Sequence, residues 1–198
     1  LVMRTSHEFI RRQEKGTVSL RDVSRTIKLF NWFQESFKKR ENQLNENERT
    51  RRCLVLSLVI SYHSRLSNQR DAYIIQVHRI LRSRGKGISS FSGVKTDVLH
   101  RYIKEEEKFW IENLDKEDDI AFNKPLSENL FLMIVSILNR IPIFVVGKPG
   151  SSKSLAIELI TTNFQGEGSK KPFIRNYPSI QVLSHQCSPL STAQGIEK

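Results

Sequence analysis

The residues best suited to chemistry form one short run: Gly147-Lys148-Pro149-Gly150-Ser151-Ser152-Lys153-Ser154. A glycine-rich turn that ends in a lysine and a hydroxyl is the pattern of a phosphate-binding loop. Such a turn aims consecutive backbone N–H groups at one spot, where phosphate oxygens can sit. A helix that follows adds its unpaired N-terminal amides and the positive end of its dipole. Lys153 would reach the β- and γ-phosphates of ATP, and the Ser154 hydroxyl would ligate Mg²⁺. The candidate nucleotide contacts are Gly147, Lys148, Pro149, Gly150, Ser151, Ser152, Lys153, Ser154 and Leu155. The strict form of the pattern has glycine before the lysine, and this chain has Ser152, so weakened or altered binding is expected. The competing reading is a glycine-serine turn with a surface lysine.

The flanking elements suit the loop. Ile141-Pro142-Ile143-Phe144-Val145-Val146 is a β-branched apolar run and reads as a strand buried on both faces. Leu155 to Ile160 resumes a helical pattern. Residues 163–178, with Gly166, Gly168, Pro172 and Pro178, read as a loop or insertion, and Ile180 to Leu183 as a second strand. Hydrolysis would also need an acidic pair at the end of a later strand. No apolar strand ending in Asp-Glu follows Lys153, so the sequence holds a nucleotide cradle without the catalytic half.

The first half reads as helices. Val23, Ile27, Phe30, Phe33 and Phe37 recur as one helical stripe in Ser19 to Arg40. Ser19 followed by Asp22 predicts a capping box. Arg51 to Leu66 is apolar nearly all round at its centre and reads as the middle helix of the group. A third helix from Ser67 ends at Gly85-Lys86-Gly87, and a fourth runs from Lys95 to Leu114. Asp115 to Asp119 is a charged joint, and a further helix runs from Leu126 to about Arg140. The helices of 1–112 are expected to pack together with few contacts to 140–198.

The 198 residues carry a net charge of +11, unevenly placed. Residues 1–104 hold 22 Lys and Arg against 9 acids, and residues 105–198 hold 10 against 12. A basic helical module could bind nucleic acid, but the basic residues are scattered, which argues against it. The two cysteines, Cys53 and Cys187, exclude a disulfide scaffold and a four-cysteine zinc module. His185 and Cys187 alone make no zinc site. Glu105-Glu106-Glu107 reads as a solvated helix face. No apolar run reaches the length of a membrane span and no secretory signal is evident, so a reducing, cytoplasmic setting is expected.

Phe144-Val-Val-Gly-Lys-Pro-Gly-Ser-Ser-Lys-Ser-Leu-Ala156 resembles a phosphate loop of mysterin, the giant ring-finger family with tandem dynein-like AAA+ modules. Serine before the lysine belongs to that family's pattern. Ile120 to Asn129 resembles the segment leading into such a module, and Gln186 to Thr192 with Gly195-Ile196 the segment after its second strand. Val18 to Arg25 with Trp32-Phe33 is more loosely similar to a helical lid that closes an AAA+ module. The resemblance implies a mixed fold: an all-α lid in 1–112, a linker in 113–124, and in 125–198 the beginning of an α/β P-loop module. It also implies that Arg21 senses the γ-phosphate of a nucleotide in the preceding module, although an exposed helix residue is an equal reading of that position. Neighbouring AAA+ modules would be the partners. The whole protein would be an ATP-driven ubiquitin-protein ligase, whose ring finger lies outside these residues. A non-hydrolysing structural nucleotide site shares all of these residues.

Overall fold

The computed structural model describes residues 1–14, 17–41, 44–83, 91–116 and 120–185. Among the described residues seven α-helices carry the architecture: α1 (Val2–Glu14), α2 (Leu20–Arg40), α3 (Glu46–Ser61), α4 (Arg70–Ser83), α5 (Thr96–Glu112), α6 (Lys124–Leu138) and α7 (Lys153–Asn163). Short 3₁₀ turns follow α3 at His63–Arg65 and follow α7 at Gly166–Gly168 and Ile174–Asn176. The Gly85-Lys86-Gly87 break and the segment Gln186 to Ile196 lie outside the described residues.

Local signals set the helix starts. Ser19 and Asp22 form the expected capping box, with Ser19 N–H donating to Asp22 Oδ2 at 2.8 Å. Asn123 caps α6 through Leu126 N–H at 2.9 Å. Pro125 sits inside the first turn of α6, where its missing N–H costs nothing.

The inward stripe of α2 is Asp22, Thr26, Leu29, Phe33 and Phe37, displaced from the expected one. Ile27 is exposed and Phe30 only half-buried. Two polar residues take the inward positions because each is satisfied. Asp22 serves the capping box and pairs with Arg65 at 3.2 Å, and Thr26 Oγ1 donates to Asp22 O at 2.7 Å.

Helix α3 lies between two apolar clusters, as a helix apolar on most sides must. One side, through Val55, Leu58 and Val59, joins α1, α4 and α5. The other, through Cys53, Leu56 and Ile60, joins α2, α5, α6 and α7. Burial pushes the Cys53 thiol up to about 12, so it packs as a small hydrophobe.

That second cluster corrects the expectation of separate cores. It runs without a break from Leu29, Phe33 and Phe37 through Leu126 and Leu130 to Ala156, Leu159 and Phe164, with Phe30, Trp32 and Val145 against it. Aromatic stacking carries the junction. Trp32 stacks on Trp110 at 6.2 Å, and Trp110 meets Phe173 and Tyr177 at 5.7 and 5.6 Å. The segment after α7, expected as a loop, therefore folds back onto α5. The joint before α6 is also tied to α7: Asn163 accepts from Asp115 N–H at 2.5 Å and donates to Asp115 O at 2.9 Å.

Among the described residues no strand ladder forms. Residues 141–146 are extended, with Ile141, Ile143 and Val145 half-buried and Phe144 and Val146 over nine-tenths exposed. The run thus covers the core with one face only and is not buried on both. Residues 181–185 are exposed, and Ile180 is held by a bond from its N–H to Phe164 O at 2.8 Å. A ladder needs a second strand alongside, and among the described residues neither stretch has one.

The acidic run on α5 is not a solvated face. Successive helical residues point about 100° apart, so three in a row cannot share one surface when neighbours pack on two sides. Glu106 is buried and Glu107 half-buried. Burial, with help from Glu128, pushes Glu107 up to about 7 against the pull of Lys124, Lys104 and Arg70. The folded state then holds this proton to a higher pH than the unfolded chain does. Its contribution to stability is full below the ordinary carboxylate range and is lost as pH rises through about 7. Glu107→Gln is expected to match the wild type at low pH. By pH 8 it should be more stable by about 1–2 kcal/mol, a value reduced for partial solvent screening. Urea unfolding at both pH values checks this, and a difference independent of pH would contradict it.

Candidate functional site

Helix α6 points the chain at the glycine-rich turn. It ends in a reversal in which Ile141 N–H donates back to Ser136 O at 2.8 Å and Arg140 N–H to Ile137 O at 2.9 Å. Arg140 takes a positive φ of 51° there, a place usually filled by glycine, so no sequence signal announces the turn. Lys28 from α2 donates to Asn139 O at 2.5 Å, placing a cation on the carbonyl end of α6. The extended segment 141–146 then delivers Gly147.

The turn is tight and lysine-centred. Ser151 N–H donates to Lys148 O at 3.2 Å, and Gly150 has φ of 79°. A Cβ on Gly147 would meet Ser151 Oγ at 2.5 Å and lie 3.8 Å from Lys153 Nζ, so glycine keeps this concavity open. Lys153 Nζ folds over the turn and donates to Gly147 O at 2.7 Å, Lys148 O at 3.0 Å and Ser151 Oγ at 3.0 Å. The ammonium therefore spans the mouth of the loop. Helix α7 starts at Lys153 without a side-chain cap, which leaves its first-turn amides available to an anion. Ser154 is exposed in that turn and Leu155 is half-buried beneath it. Lys148 and Pro149 are exposed in the turn.

Ser152 has φ of 58° and ψ of 24°, the left-handed region. This gives a physical reason for glycine before the lysine in the strict pattern. A serine there carries backbone strain of about 1 kcal/mol. Ser152→Gly is accordingly expected to raise stability by up to about 1 kcal/mol, less the entropy glycine adds to the unfolded chain. Thermal unfolding reads this directly, and a clear loss of stability would contradict the strain assignment.

One contact was not legible from the motif. Asn129 on α6 donates from Nδ2 to Ser151 O at 3.0 Å, anchoring the turn to the helix. Its only sequence signal is a polar residue directly before the apolar run Leu130 to Val135, 22 positions from its partner.

Arg21 lies in the first turn of α2 and is exposed. It lines a cleft of about 530 Å³ with Arg25, Asp22 and Arg65, and Ile143 and Val145 of the segment that leads into the loop line the same cleft. His185 is exposed, and Cys187 lies outside the described residues. Among the described residues no group of three or more His, Cys, Asp or Glu side chains could hold a metal ion, and no helix is long and apolar enough to cross a membrane.

A family model described as the RNF213 AAA domain matches residues 119–198. The chain is 34% identical over 202 residues to the E3 ubiquitin-protein ligase rnf213-beta of Danio rerio. It is 33% identical over 213 residues to the E3 ubiquitin-protein ligase RNF213 of Homo sapiens, and 32% identical over 210 to that of Mus musculus. Each match covers 98% of this chain and 4% of the relative. The chain therefore spans a small part of the length of the curated relatives it matches. No solved structure matches it.

Proposed function

This chain belongs to the RNF213 (mysterin) family, and from that premise we propose that residues 147–155 bind ATP–Mg²⁺ within an array of AAA+ modules. The observation that carries the reading is the position of Lys153 Nζ, bridging Gly147 O, Lys148 O and Ser151 Oγ across a glycine turn at an uncapped helix start. An ammonium in that place meets phosphate oxygens by a short swing of its flexible stem. The concavity that a Cβ on Gly147 would fill suits the close approach of a phosphate. Gly147, Gly150 and the amides of Ser152 to Leu155 would cradle the phosphates, Lys148 and Pro149 would shape the outer turn, and the Ser154 hydroxyl would take the Mg²⁺. The metal supplies charge neutralisation between phosphate oxygens when bound.

In this reading residues 1–112 are the lid of a preceding module, 113–124 the connection, and 125–198 the start of the next module, all in a cytoplasmic ubiquitin-protein ligase. The continuous core across 124 makes lid and module one mechanical unit. Arg21, exposed in the first turn of α2, would sense the γ-phosphate of a nucleotide held by the preceding module. The scatter of the basic residues along the sequence weighs against the nucleic-acid alternative, and four of them, Arg40, Arg52, Arg65 and Arg70, are taken up by carboxylates of Glu106, Glu105, Asp22 and Glu128 at 2.5–3.2 Å.

The test is hydrogen–deuterium exchange on the full-length protein, following peptides over 141–156 as Mg-ATP is added. Nucleotide-dependent protection of the loop and the first turn of α7 is expected. Unchanged exchange at saturating Mg-ATP would overturn the reading.

A further inference from the structure

We infer that Asn129 is a positioning residue for the loop at 147–154, a role that rests on the phosphate-binding reading of that loop. Among the described residues Lys153 and Asn129 donate side-chain hydrogen bonds to this turn, and Asn129 does so from another element. Its Nδ2 holds the Ser151 carbonyl at 3.0 Å. The peptide bond is planar and trans, so a carbonyl fixed toward α6 sends the Ser152 N–H to the opposite side, away from α6. Ser152 is in the left-handed region, so the peptides on its two sides are set by a conformation a serine does not favour. A bond that locks one of these peptides against rotation decides whether this position offers a donor or a carbonyl to an anion. A carbonyl there would repel phosphate.

The anchor is itself held. Glu128, the neighbour of Asn129 on α6, accepts from Arg70 of α4 at 2.8 Å, and Arg70 also donates to Leu66 O at 2.8 Å. Consecutive residues of one helix thus grip the helical half on one side and the loop on the other. The side chain that orients the loop is fixed before any nucleotide arrives.

The distinguishing substitution is Asn129→Asp, which keeps the shape but turns the donor into a carboxylate facing the Ser151 carbonyl. Asn129→Gln keeps an amide donor on a stem one methylene longer. Mg-ATP is titrated into the full-length wild type and both variants, and the midpoint of exchange protection over 141–156 is read. Asn129→Asp is expected to shift that midpoint about tenfold upward. Asn129→Gln should stay within about threefold of the wild type, with exchange of 126–138 in α6 unchanged in both variants. If the wild type shows no protection, the phosphate-binding reading falls and this role with it. If the wild type is protected and Asn129→Asp has the same midpoint, the positioning role alone falls. It falls equally if both variants lose affinity alike and α6 exchanges faster, since Asn129 would then only stabilise the helix.

Discussion

Lys153→Ala is expected to weaken Mg-ATP binding at residues 147–154 by about a hundredfold. The lysine ammonium makes charge-assisted hydrogen bonds, and one such bond to phosphate contributes about 1.5–3 kcal/mol. A loss of about 2.8 kcal/mol is a factor of a hundred in affinity. The structure adds a second contribution in the same direction. Lys153 Nζ ties Gly147 O and Lys148 O to Ser151 Oγ, so alanine also frees the two arms of the turn. A looser turn must be ordered when phosphate binds, at an entropic cost. Stability should change little, because the contacts to Gly147 and Lys148 are exposed. Ser152→Gly is the contrast. It keeps every N–H donor of the loop and removes the strain of a serine at φ 58°, so affinity should stay near the wild type or rise. Titrating Mg-ATP into the full-length wild type and both variants, with exchange at 141–156 as readout, separates the cases. Equal midpoints for the wild type and Lys153→Ala would end the phosphate-loop assignment.

What could be read from the sequence follows the range of the interaction behind it. The capping box of Ser19 and Asp22 spans three positions and was legible as such. The loop itself is contiguous, so its glycines, lysine and hydroxyl could be placed without knowing the fold. The middle position of α3 followed from apolar residues on most of its sides. The stripe of α2 was misplaced because hydrophobicity alone ranked Ile27 above Thr26. The inward position of Thr26 depends on a bond to Asp22 and on the partner Arg65, 43 positions from Asp22. The two expected strands are not seen among the described residues for a related reason. Ile141 to Val146 has strand composition, but a strand is a property of two segments, and this one has no ladder partner among the described residues. The charged joint at Asp115 to Asp119 suggested two cores, whereas Trp110, Phe173 and Tyr177 join the regions through aromatic contacts more than 60 positions apart in sequence. Asn129 was invisible because an isolated asparagine on a helix announces nothing until its partner at 151 is known.

Arg40→Leu is expected to destabilise the fold by about 3–5 kcal/mol, the usual cost of leaving one member of a buried ion pair alone. Arg40 and Glu106 are both at least nine-tenths buried, and Arg40 Nη2 reaches Glu106 Oε1 at 2.7 Å and Oε2 at 2.5 Å. The guanidinium lies between the rings of Phe37 and Phe109, 4.3 and 3.9 Å from their centroids. Those π faces are the compensation for Arg40 Nε and Nη1, which have no hydrogen-bond partner among the described residues. Trp110 Nε1 donates to Glu106 Oε1 at 3.0 Å, completing the site from α5 itself. Burial raises the Glu106 pKa above the ordinary carboxylate range even with Arg40 and Trp110 pulling it down. Removing Arg40 lets burial act with less opposition, so the carboxyl would take up a proton at still higher pH. The sign of the pH dependence follows. Below the ordinary carboxylate range Glu106 is protonated in both folded and unfolded chains, and the variant loses mainly packing. As pH rises, ionisation favours the unfolded chain and the deficit of Arg40→Leu grows. Removing both charges should recover much of the loss, because an apolar pair of similar volume avoids the desolvation of both ions. Arg40→Leu/Glu106→Leu is therefore expected to be more stable than Arg40→Leu at neutral pH, although Trp110 Nε1 loses its acceptor. Urea unfolding of the wild type, the single and the double variant at pH 4 and pH 8 measures each part. A single-variant cost under about 1 kcal/mol at pH 8, or a deficit that does not grow with pH, would show that this pair is not the electrostatic lock between α2 and α5.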